Sequence, residues 1–355
     1  MNKLPLLYWF RKQVRQRIMT RNYPIPTLSH LPILILCPVE RCNCRCRMCG
    51  YWSRNASATL SLGQVKSIAV EAYDLGVEHA VFSGGEPLLH SDIVRMCSIF
   101  KRSGAYVTLL TNGLLLEKWA EELISVCDEI IVSLDGPREI HDDIRRVPGA
   151  YDRIAKGIQA VRNQTDIITI SGRCTVQKRN IRHLRQTVDA AHELGLEKIS
   201  FLAVSDDRDQ FWQQAQPGEP EDLIPSIHEI TDFAEELAAL AKDYAEDYKS
   251  SFIAETPEKH KRRLYQYFLG LHGLSEFAPI NCNAPWFSAI IESNGDVRTC
   301  FFTDVVGNVF SDGGLKSVLN SDAAVNLRRS ISADKINQCT KCVSTLNYQE
   351  PLSKQ

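Results

Sequence analysis

Seven of the twelve cysteines in this 355-residue chain stand close enough together in sequence to hold metal. Cys42, Cys46 and Cys49 are separated by three and two residues and directly follow the apolar run from Leu31 to Cys37. A loop this short can wrap its thiolates around one compact metal cluster. A closed iron–sulfur cluster takes four thiolates. Three leave one iron with a vacant position, the feature that separates reactive metal sites from structural ones. Cys44 interrupts the count, and from the loop alone a zinc knuckle stays open. Near the C-terminus, Cys282 and Cys300 have seventeen residues between them, and Cys339 and Cys342 have two. Four thiolates from a hairpin and a knuckle can close around one centre. A structural zinc ribbon uses the same arrangement, so ligand chemistry alone leaves zinc and iron–sulfur evenly matched.

These thiols need a scaffold, and the chain supplies a regular one. Strand-like apolar runs are expected at Pro32–Cys37, His79–Ser83, Tyr106–Leu110, Glu129–Leu134, Ile167–Val176 and Lys198–Val204. Amphipathic helices alternate with them at Ser61–Leu75, Ser91–Ser103, Glu117–Val126, Tyr151–Asn163 and Ile181–Leu194. Continuous Val/Ile/Leu runs mark strands buried on both faces of a parallel sheet. Six such units fit an α/β barrel or a partial one, with right-handed crossovers. The chemical motifs fall just after strands, at the carboxyl edge where such sheets place their ligands. Beyond Val204 the regularity stops. A loop over Asp206–Pro220, a long helix over Ile224–Tyr248 and a basic helical stretch over Glu255–Leu274 are expected. Asn294-Gly295, between two apolar runs, signals a type I′ hairpin.

Several strand-end turns sharpen the reading. Ser83-Gly84-Gly85-Glu86-Pro87 follows the second strand, and its glycines let the backbone approach a ligand closely. Thr111-Asn112-Gly113 ends the third strand. Ser133-Leu134-Asp135-Gly136-Pro137 ends the fourth, with His141 to Arg146 downstream. Each alone is an ordinary turn. In this order, after a C-x3-C-x2-C loop, they resemble the radical S-adenosylmethionine (SAM) superfamily, and in particular the anaerobic sulfatase-maturating enzymes. The C-terminal cysteine spacing is similar to that of the butirosin-pathway aminocyclitol dehydrogenase and its "twitch" module, a shortened relative of the SPASM domain. The resemblance covers residues 32–348.

That resemblance implies an α/β fold: a partial (β/α)6 TIM-like barrel with a small C-terminal twitch/SPASM-like cluster module. The implied division is a basic extension over 1–30, the barrel over 31–215, a helical connection over 216–278, the cluster module over 279–348 and a tail over 349–355. It implies a SAM-binding [4Fe-4S] cluster on Cys42, Cys46 and Cys49, and one auxiliary [4Fe-4S] cluster on Cys282, Cys300, Cys339 and Cys342. SAM would be held by Gly84, Gly85, Glu86, Pro87, Asn112, Ser133 and Arg145, with Arg146 a near-equal alternative, and Leu202 against the adenine. An arginine suits the task because its planar fork pairs a carboxylate bidentately. The chain departs from the family at Met48, where most members carry an aromatic residue; a thioether can still contact a ring.

The implied activity is reductive cleavage of SAM to a 5′-deoxyadenosyl radical that takes a hydrogen atom from substrate. A flavodoxin or ferredoxin would supply the electron. Cys174, within the fifth strand, is a candidate hydrogen donor if it faces the lumen. Cys97 and Cys127 read as buried small hydrophobes. His90, His141, Asp206, Asp207 and Glu292 are conceivable bases, none singled out by spacing. Only about 30 residues precede the first strand, fewer than a peptide-leader module needs. This tilts the substrate towards a small polyhydroxylated or lipid-linked molecule, with oxidation or epimerisation as the outcome. Modification of a ribosomal peptide is the alternative, and a non-catalytic cluster scaffold or redox sensor the third reading.

Composition sets outer limits. A net charge of −2 lacks the basic excess of a nucleic-acid-coating protein. The clustered thiols fit metal ligation in a reducing cytoplasm better than a secreted disulfide framework. Residues 1–21 mix Leu, Trp and Phe with Lys and Arg and have no acidic member. They read either as a helix on a membrane surface or as a basic-faced helix packed under the core.

Overall fold

The computed structural model describes residues 27–53, 58–206, 223–332 and 337–349. The basic stretch over 1–21 and Asp207 lie outside them. Six parallel strands form where the apolar runs predicted them: β1 Ile33–Leu36, β2 His79–Phe82, β3 Tyr106–Thr111, β4 Glu129–Ser133, β5 Thr169–Val176 and β6 Lys198–Ala203. They pair in sequence order, each with the next, through crossover helices α1 Leu62–Asp74, α2 Ile93–Arg102, α3 Leu116–Leu123, α4 Arg138–Arg145, α5 Ala150–Arg162 and α6 Leu184–Glu193. The result is a partial (β/α)6 barrel. α1 starts on a capping box in which Ser61 and Gln64 satisfy each other's backbone N–H groups.

Alternation along the strands separates two faces. One carries Leu36, Phe82, Leu109, Val132, Val176 and Ala203, all sealed from water against the helices. The other carries Val81, Leu110, Ile131, Ser133, Arg173 and Leu202, which are half-buried and line the concave side. At the floor of that side a polar network links His79 Nε2 to Thr108 Oγ1 (2.8 Å), and Ser171 Oγ donates to Glu129 Oε1 (2.6 Å).

The C-terminal module continues the same sheet. β7 Ser288–Ile291 pairs parallel with β1, and β8 Asp296–Arg298 and β9 Gly307–Asn308 add antiparallel strands, giving the order β6-β5-β4-β3-β2-β1-β7-β8-β9. The expected hairpin is present, but its turn is not type I′. That type needs positive φ at both central residues, and here Gly295 alone has it (φ +91°). Glu292 faces Asp296 across a three-residue loop, and the Gly295 N–H donates to the Glu292 carbonyl (2.9 Å). This is the three-residue hairpin with glycine in the left-handed position.

Two helical expectations also change. The stretch over Ile224–Tyr248 breaks at Tyr244 into α7 Ile227–Asp243 and a short helix Ala245–Ser250. The basic stretch holds Pro257–His260, a π-helical turn over Lys261–Tyr265 and Gln266–Leu271. Residues 252–255 cover the free edge of β6: Ile199 N–H donates to Phe252 O (2.8 Å) and Phe201 N–H to Glu255 Oε2 (3.0 Å). No helix among the described residues is long and apolar enough to cross a membrane.

Candidate active site

The cysteine loop is clamped to the carboxyl edge of the sheet from two sides. Backbone N–H groups of Arg45 and Arg47 donate to the carbonyls of Arg145 and Ile144 at the end of α4 (3.2 and 3.0 Å), and Arg47 pairs with Asp143 (2.7 Å). From β2, Gly85 N–H donates to Val39 O (3.1 Å) and Glu86 N–H to Arg41 O (2.9 Å). A Cβ on Gly85 would run into the carbonyl oxygens of Glu40 and Arg41, so this approach needs glycine.

N–H donors from several elements point at the clustered cysteine sulfurs. Asn112 Nδ2 reaches Cys42 Sγ (3.7 Å), the Cys44 backbone N–H reaches the same atom (3.4 Å), Arg145 Nη1 reaches Cys46 Sγ (3.5 Å), and Leu346 N–H reaches Cys282 Sγ (3.5 Å). Such bonds tune a thiolate-held cluster. Cys44 acts differently from its neighbours. Its thiol hydrogen-bonds to the sulfurs of Cys42 and Cys46, which together with burial pushes it up. Cys46 falls to about 7, mainly through that bond, with the Arg145 charge also lowering it against the cost of burial. Cys49 is pushed up by burial, then by Cys46 and Cys42. In the second set, burial raises the Cys300 thiol, followed by the charges of Cys342, Cys282 and Cys339. Soft thiol donors in a three-set and a four-set, with N–H groups aimed at them, fit iron–sulfur clusters.

The structure separates the candidate SAM contacts into groups. Gly84, Gly85 and Pro87 form the turn against the cysteine loop. Glu86 is there too, but its carboxylate is committed to protein: it accepts from Leu88 N–H (3.0 Å), Thr111 Oγ (2.7 Å) and Asn112 N–H (2.7 Å). Glu86 is thus a strut joining two strand-end turns, and burial pushes it up to about 7. Ser133 and Leu202 lie on the concave face, on β4 and β6. Of the two arginines, Arg145 turns inward to Cys46 and pairs with the fully buried Asp135 (2.7 Å), whereas Arg146 is an exposed left-handed helix cap.

Cys174 does not face the lumen. It shares a face with Gly172 and Val176, toward the helices, is fully buried, and accepts from Asn180 Nδ2 (3.5 Å). The period-two geometry of a strand puts it on the wrong side to meet a substrate radical. Three of the conceivable bases are also structural. His90 bonds Leu60 O (2.9 Å), His141 Nδ1 accepts from Asp135 N–H (3.1 Å), and Glu292 accepts from Arg298 in the hairpin (2.6 Å). Asp206 is different. It stands just past β6 at the carboxyl edge, bonded to Tyr267 and to Lys341 (2.6 Å), which lies between Cys339 and Cys342. Asp135 and Gln177 were not singled out by sequence. Asp135 lies within the Ser-Leu-Asp-Gly motif without a distinguishing signal of its own; Gln177, whose Nε2 reaches Met48 Sδ (3.6 Å), carries no spacing signal.

A parallel half-barrel with a three-thiol loop at its carboxyl edge, extended by a four-thiol module, defines a cluster-bearing α/β protein. Family models identify the type: residues 36–191 match the radical SAM superfamily and residues 282–343 the SPASM iron–sulfur cluster-binding domain. The chain thus carries a radical SAM domain and a SPASM-type domain, which imply SAM, a SAM-binding [4Fe-4S] cluster and auxiliary iron–sulfur as cofactors. It is 29% identical over 195 residues to an AdoMet-dependent heme synthase of Methanosarcina barkeri, covering 53% of this chain and 55% of the relative. It is 25% identical over 315 residues to the subtilosin biosynthesis protein AlbA of Bacillus subtilis, covering 85% of this chain and 61% of the relative. The chain therefore spans a little over half the length of these curated relatives. The fold matches that of SuiB of Streptococcus suis, solved with its precursor peptide SuiA, at a TM-score of 0.63 and 17% identity, covering 86% of this chain and 68% of SuiB.

Proposed function

We propose that Cys42, Cys46 and Cys49 hold the SAM-binding cluster, and that the chain abstracts a hydrogen atom from a substrate lodged in the concave face. When bound, the cluster supplies one electron that splits SAM into methionine and a 5′-deoxyadenosyl radical. The protein's residues do the positioning. The Gly84–Pro87 turn and Asn112 fix the cysteine loop, and Ser133 and Leu202 flank the nucleoside. Arg145, anchored by Asp135, puts positive charge beside Cys46. Cys282, Cys300, Cys339 and Cys342 hold one auxiliary cluster, and Asp206, tied to its knuckle through Lys341, is the group best placed to move a proton at the barrel mouth. The observation that carries this reading is the inward convergence of Arg145, Asn112 and the Cys44 N–H on sulfur.

The substrate we favour is a small molecule, oxidised or epimerised, with reducing equivalents from a flavodoxin- or ferredoxin-type donor. The alignment with AlbA across both domains favours a second reading, modification of a peptide. Anaerobic reconstitution tests the core claim. About eight irons per chain and 5′-deoxyadenosine formed from SAM under dithionite are expected; intact SAM with a full iron complement would sink it.

A further inference from the structure

Among the described residues Arg173 has no partner equal to its charge. It projects from β5 on the concave face, between Ser133 of β4 and Ser200 of β6, each in register with it. Its Nε is sealed from solvent with no hydrogen-bond partner, and no carboxylate comes within ion-pair distance among the described residues. Glu255 and Glu129 influence it only at longer range. Both are already engaged, Glu255 by His260 (3.5 Å) and Phe201 N–H, Glu129 by the Ser171 and Thr108 hydroxyls. Sealing a guanidinium nitrogen from water without a partner is costly. Glu129, Glu255, Asp135 and Arg145 around it are each paired or hydrogen-bonded, which leaves Arg173 to a group that arrives from outside.

We infer that Arg173 anchors the substrate by a carboxylate, gripped by its fork with the Ser200 hydroxyl alongside. The inference deepens the reading above and rests on it, since it seats the substrate on the same concave face that receives the nucleoside. A carboxylate fits better than a phosphate. Glu129 and Glu255 already lend the region negative charge, which a monoanion tolerates and a dianion does not. A planar carboxylate also matches the guanidinium bidentately. The carboxylate can belong to a small acid or to a peptide.

The test uses the SAM-loaded, cluster-reconstituted full chain. The protein is treated under anaerobic conditions with p-hydroxyphenylglyoxal, and modified arginines are mapped by mass spectrometry. Arg173 should label at least about tenfold faster than Arg145, which is tied to Asp135. Saturating glutarate or the tripeptide Gly-Glu-Gly should slow Arg173 labelling by about tenfold or more. Protection by glutarate alone points to a small acid, and by the tripeptide alone to a peptide. An unlabelled Arg173, a rate indifferent to both, or protection by inorganic phosphate only overturns the inference. Because the wild-type protein is used, misfolding does not cloud the result. Arg173→Gln should then lose the glutarate-induced rise in unfolding temperature, and Arg173→Lys should keep part of it. Deoxyadenosine formation is measured in the same preparation. SAM cleavage without labelling defeats this inference alone, whereas absence of cleavage defeats the reading beneath it.

Discussion

The two thiol sites sit on one continuous sheet, yet they are finished differently. At the N-terminal loop three cysteines are proposed as ligands while Cys44 donates to their sulfurs, and N–H groups from β3's turn and α4 converge on them. At the C-terminal module the four cysteines are half-buried, and backbone N–H groups of Leu346 and Phe302 point at the Cys282 and Cys300 sulfurs. As proposed, the first site leaves a position open and is tuned by side chains from neighbouring elements, whereas the second offers four thiols and receives backbone N–H groups. The difference teaches where specificity resides: in the residues around the open cluster, not in the count of thiols.

Removing ligands tests the contrast most strongly. Cys42→Ala, Cys46→Ala or Cys49→Ala should abolish SAM cleavage, a fall of at least about a thousandfold in 5′-deoxyadenosine, with iron dropping from about eight to about four per chain. Cys300→Ala should lose a similar amount of iron yet still cleave SAM. Cys44→Ser should retain the full iron content, since its thiol donates instead of ligating. If Cys44→Ser empties the loop, the assignment of ligands is wrong.

The next largest effect should come from Arg145. Arg145→Met removes a cation beside Cys46 and strands the buried Asp135 carboxylate. Loss of such an outer partner typically costs about 10- to 100-fold in activity. The reduced cluster carries more negative charge than the oxidised one, so losing the cation should move its midpoint potential to more negative values. A redox titration followed by electron paramagnetic resonance reads this directly. An unchanged potential would remove Arg145 from the tuning set.

Much of this architecture was legible in the sequence, for a physical reason. Strands buried on both faces and amphipathic helices leave strong periodic signals, and all six barrel strands formed within a few residues of expectation. Cysteine spacing is equally loud because metal geometry fixes it. What stayed hidden depends on side-chain direction. Alternation permits either face, so nothing in the sequence could say that Cys174 points to the helices while Arg173, its neighbour, points to the lumen. Arg145 and Arg146 differ by one position, and only the left-handed cap at Arg146 decides which turns inward. The Asn294-Gly295 pair announced a hairpin, but three loop residues rather than two set its turn. Glu86 sat in a recognised motif, yet its work as a strut appears only once β2 and β3 lie side by side.

Glu86 supplies a pH-dependent test of how the open site is held. Burial lifts its carboxyl from 4.5 to about 7. A folded-state value above the unfolded one means the protonated form is favoured on folding. Its contribution is therefore complete below about pH 4.5 and is lost as pH rises through 7. Wild-type stability from urea unfolding should fall by a few kcal/mol, on the order of 1.4 per pKa unit, between pH 4.5 and pH 8 from this group. Glu86→Gln should start lower, by about 1–3 kcal/mol for a lost acceptor, and show a flatter profile over that window. Parallel profiles for the two proteins would mean that Glu86 stays ionised throughout.

The smallest expected effect probes the seam between the two regions. Lys341 reaches from the knuckle between Cys339 and Cys342 to Asp206 at the end of β6 (2.6 Å), and both side chains are only partly exposed. Lys341→Met removes the pair without touching a thiol. An ion pair of this exposure contributes at most about 1 kcal/mol, so unfolding and iron content should barely move. Local opening should respond more, because the knuckle over 337–349 is held to the barrel through few polar ties. Hydrogen exchange of its amides should quicken while that of the cysteine loop over 42–49 stays the same. Equal acceleration at both would mean that the seam couples the two clusters mechanically, and the contrast between an independently tuned open site and a closed one positioned at its side would have to be given up.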